Sequence, residues 1–263
     1  MDLQDKRVVL TGAAGGMGSV LARLMSEKGA KLALVDANAE AVEKLASELA
    51  CSVAVAGDLS TRQGCEKIAS EAAEKLGGVD VLINLAGIMS FTAFEDENDE
   101  RIELLMHINL IAPMLLSRTL LPGMLAQNSG RIVNVGSMFG SIGFAYFAAY
   151  SASKFGLRGF SQALRRELAD SGVGVTYLSP RAVKTAINTG PIMEMNVATK
   201  TNMDEPEAVA GMILEAIETE KNEAYFGFPE SLFARINGIL PSVIDSGTAD
   251  QNRIAREFAK GYK

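Results

Sequence analysis

The chain has 263 residues, 48% of them hydrophobic and 22% charged, a balance that lets it bury a core without metal or disulfide support. Its formal net charge of −7 and the lack of any Lys/Arg cluster exclude nucleic acid as a partner. The two cysteines, Cys51 and Cys65, have no metal-ligand spacing, the first residues are polar, and no run reaches the roughly 18 apolar residues of a membrane span; reduced thiols, no metal site and a cytoplasmic location are expected.

Short apolar runs alternate with longer helical patterns from end to end. The first strand is predicted over 7–11. It ends in Thr11-Gly12-Ala13-Ala14-Gly15-Gly16-Met17-Gly18, where a helix over 17–28 begins. Glycines at such a turn let the backbone approach a pyrophosphate, and the helix start offers free N–H groups. Gly12, Ala14, Gly15, Gly16, Met17 and Gly18 are therefore the expected contacts of a dinucleotide.

A second strand over 31–35 leads to Asp36, roughly twenty residues past the loop, where a ribose-binding acid is expected. Its carboxylate suits the adenosine ribose hydroxyls and repels a 2′-phosphate, and Ala37 follows it, so NAD is favoured over NADP. The alternative role for Asp36 is helix N-cap, which Asn38 can fill instead. Further strands are predicted over 51–56, 79–84, 131–135, 173–178 and 224–227. Helices are predicted over 39–50, 62–76, 100–121 (with a kink at Pro113), 150–171 and 205–218. This alternation predicts an α/β fold: a Rossmann-type, doubly wound parallel sheet of about seven strands with helices on both faces.

Tyr150 and Lys154 lie four residues apart at the start of a helix, so phenol and ammonium share one face. A tyrosine titrating near ~10 works as a proton donor and acceptor when a nearby cation lowers its pKa. Ser137 follows the strand over 131–135, at the sheet edge where such folds bind ligands, and can polarise a substrate oxygen that Tyr150 protonates.

With these motifs the chain resembles the short-chain dehydrogenase/reductase family over residues 5–228, its loop matching the T-G-x-x-x-G-x-G pattern of the compact branch. The resemblance implies that Asp58 and Leu59 contact the adenine, and that Asn84, Ala86 and Gly87 stand for an N-N-A-G motif in which Leu85 replaces an asparagine. It implies that Asn109 holds a relay water and that Asn109, Ser137, Tyr150 and Lys154 form the catalytic set, Lys154 also binding the nicotinamide ribose. Pro180, Val183 and Thr185 match the segment that holds the nicotinamide carboxamide, but Arg181 stands where the family has glycine; it lies toward the cofactor phosphates or projects into solvent.

His107, the single histidine, reads as a helix residue rather than a catalyst. The run Phe139, Ile142, Phe144, Tyr146, Phe147 borders a hydrophobic substrate, packs in the core or meets another subunit. Residues 229–244 place Leu232, Phe233, Ile236, Ile239, Leu240 and Val243 at helical spacing, broken at Pro241. That face reads as a lid or interface before a membrane contact, for which the polar face lacks Lys/Arg.

The resulting expectation is one catalytic domain over 1–263, with 186–203 as a substrate loop whose mobile part is 190–202 and 229–263 as a C-terminal extension. It would be a homodimer or homotetramer through the helices over 100–121 and 150–171. Its activity would be NAD(H)-dependent interconversion of an alcohol and a carbonyl on a hydrophobic small molecule. The alternatives are a catalytically silent dinucleotide-binding scaffold and a membrane-peripheral lipid oxidoreductase.

Overall fold

The computed structural model describes residues 1–188 and 190–260; residue 189 of the expected substrate loop and 261–263 of the expected extension lie outside the described residues. The elements run β1 (Arg7–Thr11), α1 (Gly16–Glu27), β2 (Lys31–Asp36), α2 (Ala39–Glu48), β3 (Ser52–Ala56), α3 (Arg62–Leu76) and β4 (Val81–Asn84). They continue with α4 (Asp99–Met106), a π-turn (His107–Ile111), α5 (Ala112–Ala126), β5 (Gly130–Val135), α6 (Ala148–Glu167), β6 (Val173–Ser179) and β7 (Ala182–Val183). The last are α7 (Gly190–Ala198), β8 (Met203–Asp204), α8 (Pro206–Glu218), β9 (Glu223–Tyr225), α9 (Glu230–Asn237), α10 (Pro241–Gly247) and α11 (Ala249–Lys260).

Seven strands form one parallel sheet in the order β3-β2-β1-β4-β5-β6-β9, as the sequence predicts. The order reverses between β1 and β4, and the crevice beyond the carboxyl ends of these strands is where such sheets bind ligands. Alternate strand residues feed two cores. Val8, Leu10, Leu32, Leu34, Val81 and Ile83 pack with α1, α2 and α8, whereas Val9, Val35, Leu82 and Ile132 pack with α3, α5 and α6. Burial on both faces explains why the strands read as continuous apolar runs.

Helix starts follow their caps: Asn38, Thr61 and Asn98 each accept a first-turn N–H with their side chains. With Asn38 capping α2, Asp36 is released from that role. The strand expected from Cys51 begins one residue later, because Cys51 is in the left-handed region at φ 54. The helix expected over 100–121 differs more. Its break falls at the π-turn rather than at Pro113, which occupies the opening turn of α5. Nor does it stop before Pro122: burial of Leu120 and Met124 carries α5 on to Ala126 despite the lost hydrogen bond. Where a loop was expected between 186 and 203, α7 packs its Ile192 and Met195 into a third apolar cluster together with Ala255 of α11.

Candidate active site

Two adjoining depressions lie along the carboxyl edge of the sheet. A groove runs past the β1–α1 loop and is lined by Gly12, Gly15, Gly16, Met17, Gly18, Asp36, Asp58, Leu59, Ala86, Gly87 and Thr185, all expected from the sequence. A Cβ at Gly18 would come within 2.0 Å of the Gly12 carbonyl oxygen, and Gly12 itself has φ +70, so this turn requires glycine at both positions. The N-cap of α1, Gly15, has no side chain to bond the first-turn N–H groups, which leaves them for an anion in the groove.

Asp36 accepts hydrogen bonds from the backbone N–H of Ala14 (3.0 Å) and of Asn38 (3.0 Å), which fix its carboxylate at the end of β2. Ala14 thus acts on the groove through Asp36 and is not part of its lining. Asp58 accepts from the hydroxyl and the N–H of Ser60, and these bonds hold its carboxyl below the ordinary range. Thr11 Oγ accepts from Leu85 N and Ala86 N, tying the end of β1 to that of β4. Asn84 lies elsewhere than expected. Its amide donates to Asn134 (2.8 Å) inside the sheet, since β4 and β5 set these residues side by side, and it does not line the groove.

The second depression is a cavity of ≈ 200 Å³ that shares Met17, Thr185 and Ile187 with the groove. Ser137, Tyr150, Lys154, Pro180 and Val183 line it as expected. The Gly136 and Met138 N–H groups bond to the Leu178 and Pro180 carbonyls, which pins the segment carrying Ser137 to the end of β6. Ser137 and Tyr150 stand together on its wall. The Lys154 ammonium sits 5.8 Å from the Tyr150 ring centroid and donates to the Val135 carbonyl at 3.3 Å.

Burial governs both titratable groups. It pushes the Tyr150 phenol up to about 12, against the Ser137 side chain, which lowers it. It draws the Lys154 ammonium down to about 8. The lowering of the tyrosine pKa expected from its lysine neighbour is therefore not what this geometry gives: desolvation is the largest effect, and Lys154 is not among the groups that shift the phenol. Tyr150 is a protonated donor at neutral pH.

Asn109 lines neither depression. It sits in the π-turn, accepts from Ile88 N (2.9 Å), and donates to Ile88 O (2.9 Å) and Ser153 Oγ (3.0 Å), joining the groove wall to α6. His107, also in that turn, has its Nε2 buried without a partner and lines neither depression.

Phe139, Phe144 and Phe147 give the cavity an aromatic wall, with Phe139 4.8 Å from Phe147 and 5.3 Å from Tyr150 between ring centroids. Arg181 points neither to the groove nor into solvent. Its guanidinium bonds Asp204 of β8 (2.6 and 2.9 Å) and Glu230 of α9 (3.1 Å). Ile192, Met195 and Asn196, expected only as part of the substrate loop, line the cavity, and sequence reasoning missed Met89, Gln251 and Asn252. Those on α7 and α11 carried no motif, and a polar helix such as α11 gives no sign of which face it turns inward.

The family profile described as short chain dehydrogenase matches residues 6–194. The chain belongs to the short-chain dehydrogenase/reductase family of oxidoreductases. Within this family it is 31% identical to a protein named ketoacyl reductase HetN from Nostoc sp., covering 99% of this chain and 96% of that one. It is 32% identical to dehydrogenase/reductase SDR family member 7B from Bos taurus, covering 95% and 82%. Among solved family structures, one from Burkholderia phymatum in complex with NAD superposes with TM-score 0.84 at 22% identity, covering 93% of this chain and 96% of that one. A short-chain dehydrogenase from Streptomyces avermitilis gives TM-score 0.80 at 27% identity, covering 97% and 99%.

Proposed function

We propose that this protein is an NAD(H)-dependent oxidoreductase that interconverts a carbonyl and an alcohol on a hydrophobic small molecule, with Tyr150 as its acid/base. The observation that carries the reading is the placement of Ser137, Tyr150 and Lys154 together in an apolar cavity that adjoins a glycine-walled groove.

The groove residues fit a dinucleotide. The open N–H groups at the start of α1 suit its pyrophosphate, Asp36 its adenosine ribose, and Asp58 with Leu59 its adenine. Thr185 stands where groove and cavity meet, and Val183 and Pro180 line the cavity beside it, which suits the nicotinamide. The cofactor, when bound, supplies or receives the hydride at the substrate carbon.

The chain's own residues handle the oxygen. Ser137 gives it a hydrogen bond, and Tyr150, protonated at neutral pH, donates the proton that turns a carbonyl oxygen into a hydroxyl. Lys154 keeps a positive charge beside the phenol as that proton leaves, and Asn109 fixes the wall of the groove through Ile88. The aromatic wall excludes water from the exchange. Reduction of a carbonyl is in keeping with the name of the Nostoc relative.

Exposed Ile111 and Met114 at the start of α5, Leu125 at its end and Phe155 on α6 support a homo-oligomer joined through these two helices. The free thiols Cys51 and Cys65 fit a reducing cytoplasm. The test is NADH consumption with a panel of apolar ketones. Tyr150→Phe should lower kcat by about 10²–10⁴-fold while NADH still binds; full activity in that variant would remove Tyr150 from the chemistry.

A further inference from the structure

Among the described residues, the cavity wall carries one buried polar side chain that neither the fold nor the proposed chemistry uses. Asn196, on α7, is 6% exposed and lines the cavity, yet its carboxamide has no hydrogen-bond partner among the described residues. Such a group is costly to bury unless something bonds it. It is also not sealed off: Asn196 is absent from the buried polar side chains closed to solvent without a partner, so its amide atoms open onto free space, and the cavity is the space it lines.

Exposed Gln251 faces solvent, and the polar residues around Asn196 are engaged. Asn188 donates to the Val183 carbonyl, Thr199 bonds Met195 and Asn196 carbonyls, and Asn202 donates to Glu230. Asn196 bonds none of Ser137, Tyr150 and Lys154, which hold the reacting oxygen in the proposed function. The partner it lacks is therefore a second polar group of the substrate.

That group is uncharged. The charged residues on the cavity wall are Lys154, Arg181 and Glu230. Lys154 stands beside Tyr150, while Arg181 is shared between Asp204 and Glu230 and has no charge to spare for a carboxylate or phosphate. Glu230 is likewise consumed, by Arg181 and Asn202.

We infer that Asn196 is a specificity-determining residue, whose carboxamide hydrogen-bonds a second, uncharged polar group (a hydroxyl or carbonyl) on an otherwise apolar ketone or alcohol. This rests on the proposed function of the same site. A site built to bond a substrate hydroxyl rejects the analogue lacking it, because its own polar group is then left unpaired.

The test uses linear methyl ketones of increasing chain length, each ending in methyl, hydroxyl, carboxylate or quaternary ammonium, reduced with NADH. The wild type is expected to prefer the hydroxyl ending over methyl in kcat/KM by about ten- to a hundredfold at the matching length, and to reject both charged endings. In Asn196→Leu, of similar shape, that preference should vanish through KM, with kcat on the methyl-ended ketone unchanged. Asn196→Asp should raise activity on the ammonium-ended ketone. Equal use of methyl and hydroxyl endings by the wild type, or variants that change all endings alike, overturns the inference. So does failure of every ketone with NADH binding intact. Loss of NADH binding by the wild type instead overturns the proposed function beneath it.

Discussion

At the scale of single residues, the site combines groups whose burial is costly to the fold. Lys154 is 4% exposed, and burial draws its pKa to about 8 from an ordinary 10.5. Between these values the unfolded chain binds the extra proton, so its contribution to stability rises with pH across that window and is unfavourable below it. Lys154→Met should therefore stabilise the protein at neutral pH by up to about 3 kcal/mol while abolishing turnover. Urea unfolding of both proteins on either side of the window checks this: the gain should shrink as pH rises. Tyr150 acts in the opposite sense, its raised pKa lending stability that is lost as pH climbs from about 10 toward about 12. Ser137, Tyr150 and Lys154 were legible because their chemistry demands particular residue types at fixed spacing. Arg181 was legible only as an anomaly, because its partners Asp204 and Glu230 are distant in sequence and no local pattern announces an ion pair.

At the scale of elements, the strands and the helices up to α6 follow from apolar runs and caps, and the sequence placed them within a few residues. The elements that cover the cavity did not follow in this way. The α7 segment, rich in Met and Asn, and the polar α11 are positioned by contacts with each other, which sequence periodicity does not encode. The π-turn was hidden for a similar reason: its widened turn serves Asn109 and the Ile88 backbone, whereas Pro113 and Pro122 drew attention elsewhere. Arg181 ties this cover together, joining β8 to α9 through Asp204 and Glu230. Arg181→Met leaves both carboxylates without their cation. The expected result is a loss of about 1–3 kcal/mol, faster proteolytic cleavage within 229–260 and a raised KM for ketone with NADH affinity unchanged. Unchanged cleavage and KM would show that the cover closes without the ion pair.

At the scale of the whole molecule, the long α4–α5 helix is apolar enough by composition to cross a membrane, but α5 buries Leu116, Leu120 and Met124 against the sheet and α3. What it leaves outside is Ile111, Met114 and Leu125, and α6 adds Phe155. Met114→Glu combined with Phe155→Glu should turn an oligomer into monomers in sedimentation velocity, whereas a wild type already monomeric would refute the proposed interface. Phe228, and Ile239, Leu240 and Val243 of the extension, are also exposed.

In the proposed function, Asp36 selects NAD over NADP. Because the chain has no tryptophan, nucleotide fluorescence itself can be followed as NADH or NADPH is titrated into wild type and Asp36→Ala. The wild type should bind NADH saturably and at least about tenfold tighter than NADPH, and Asp36→Ala should lose or reverse that preference as the carboxylate's charge-assisted bonding to the ribose disappears. Equal binding of both nucleotides unaltered by the substitution would contradict the role of Asp36. Binding of neither would contradict the enzyme.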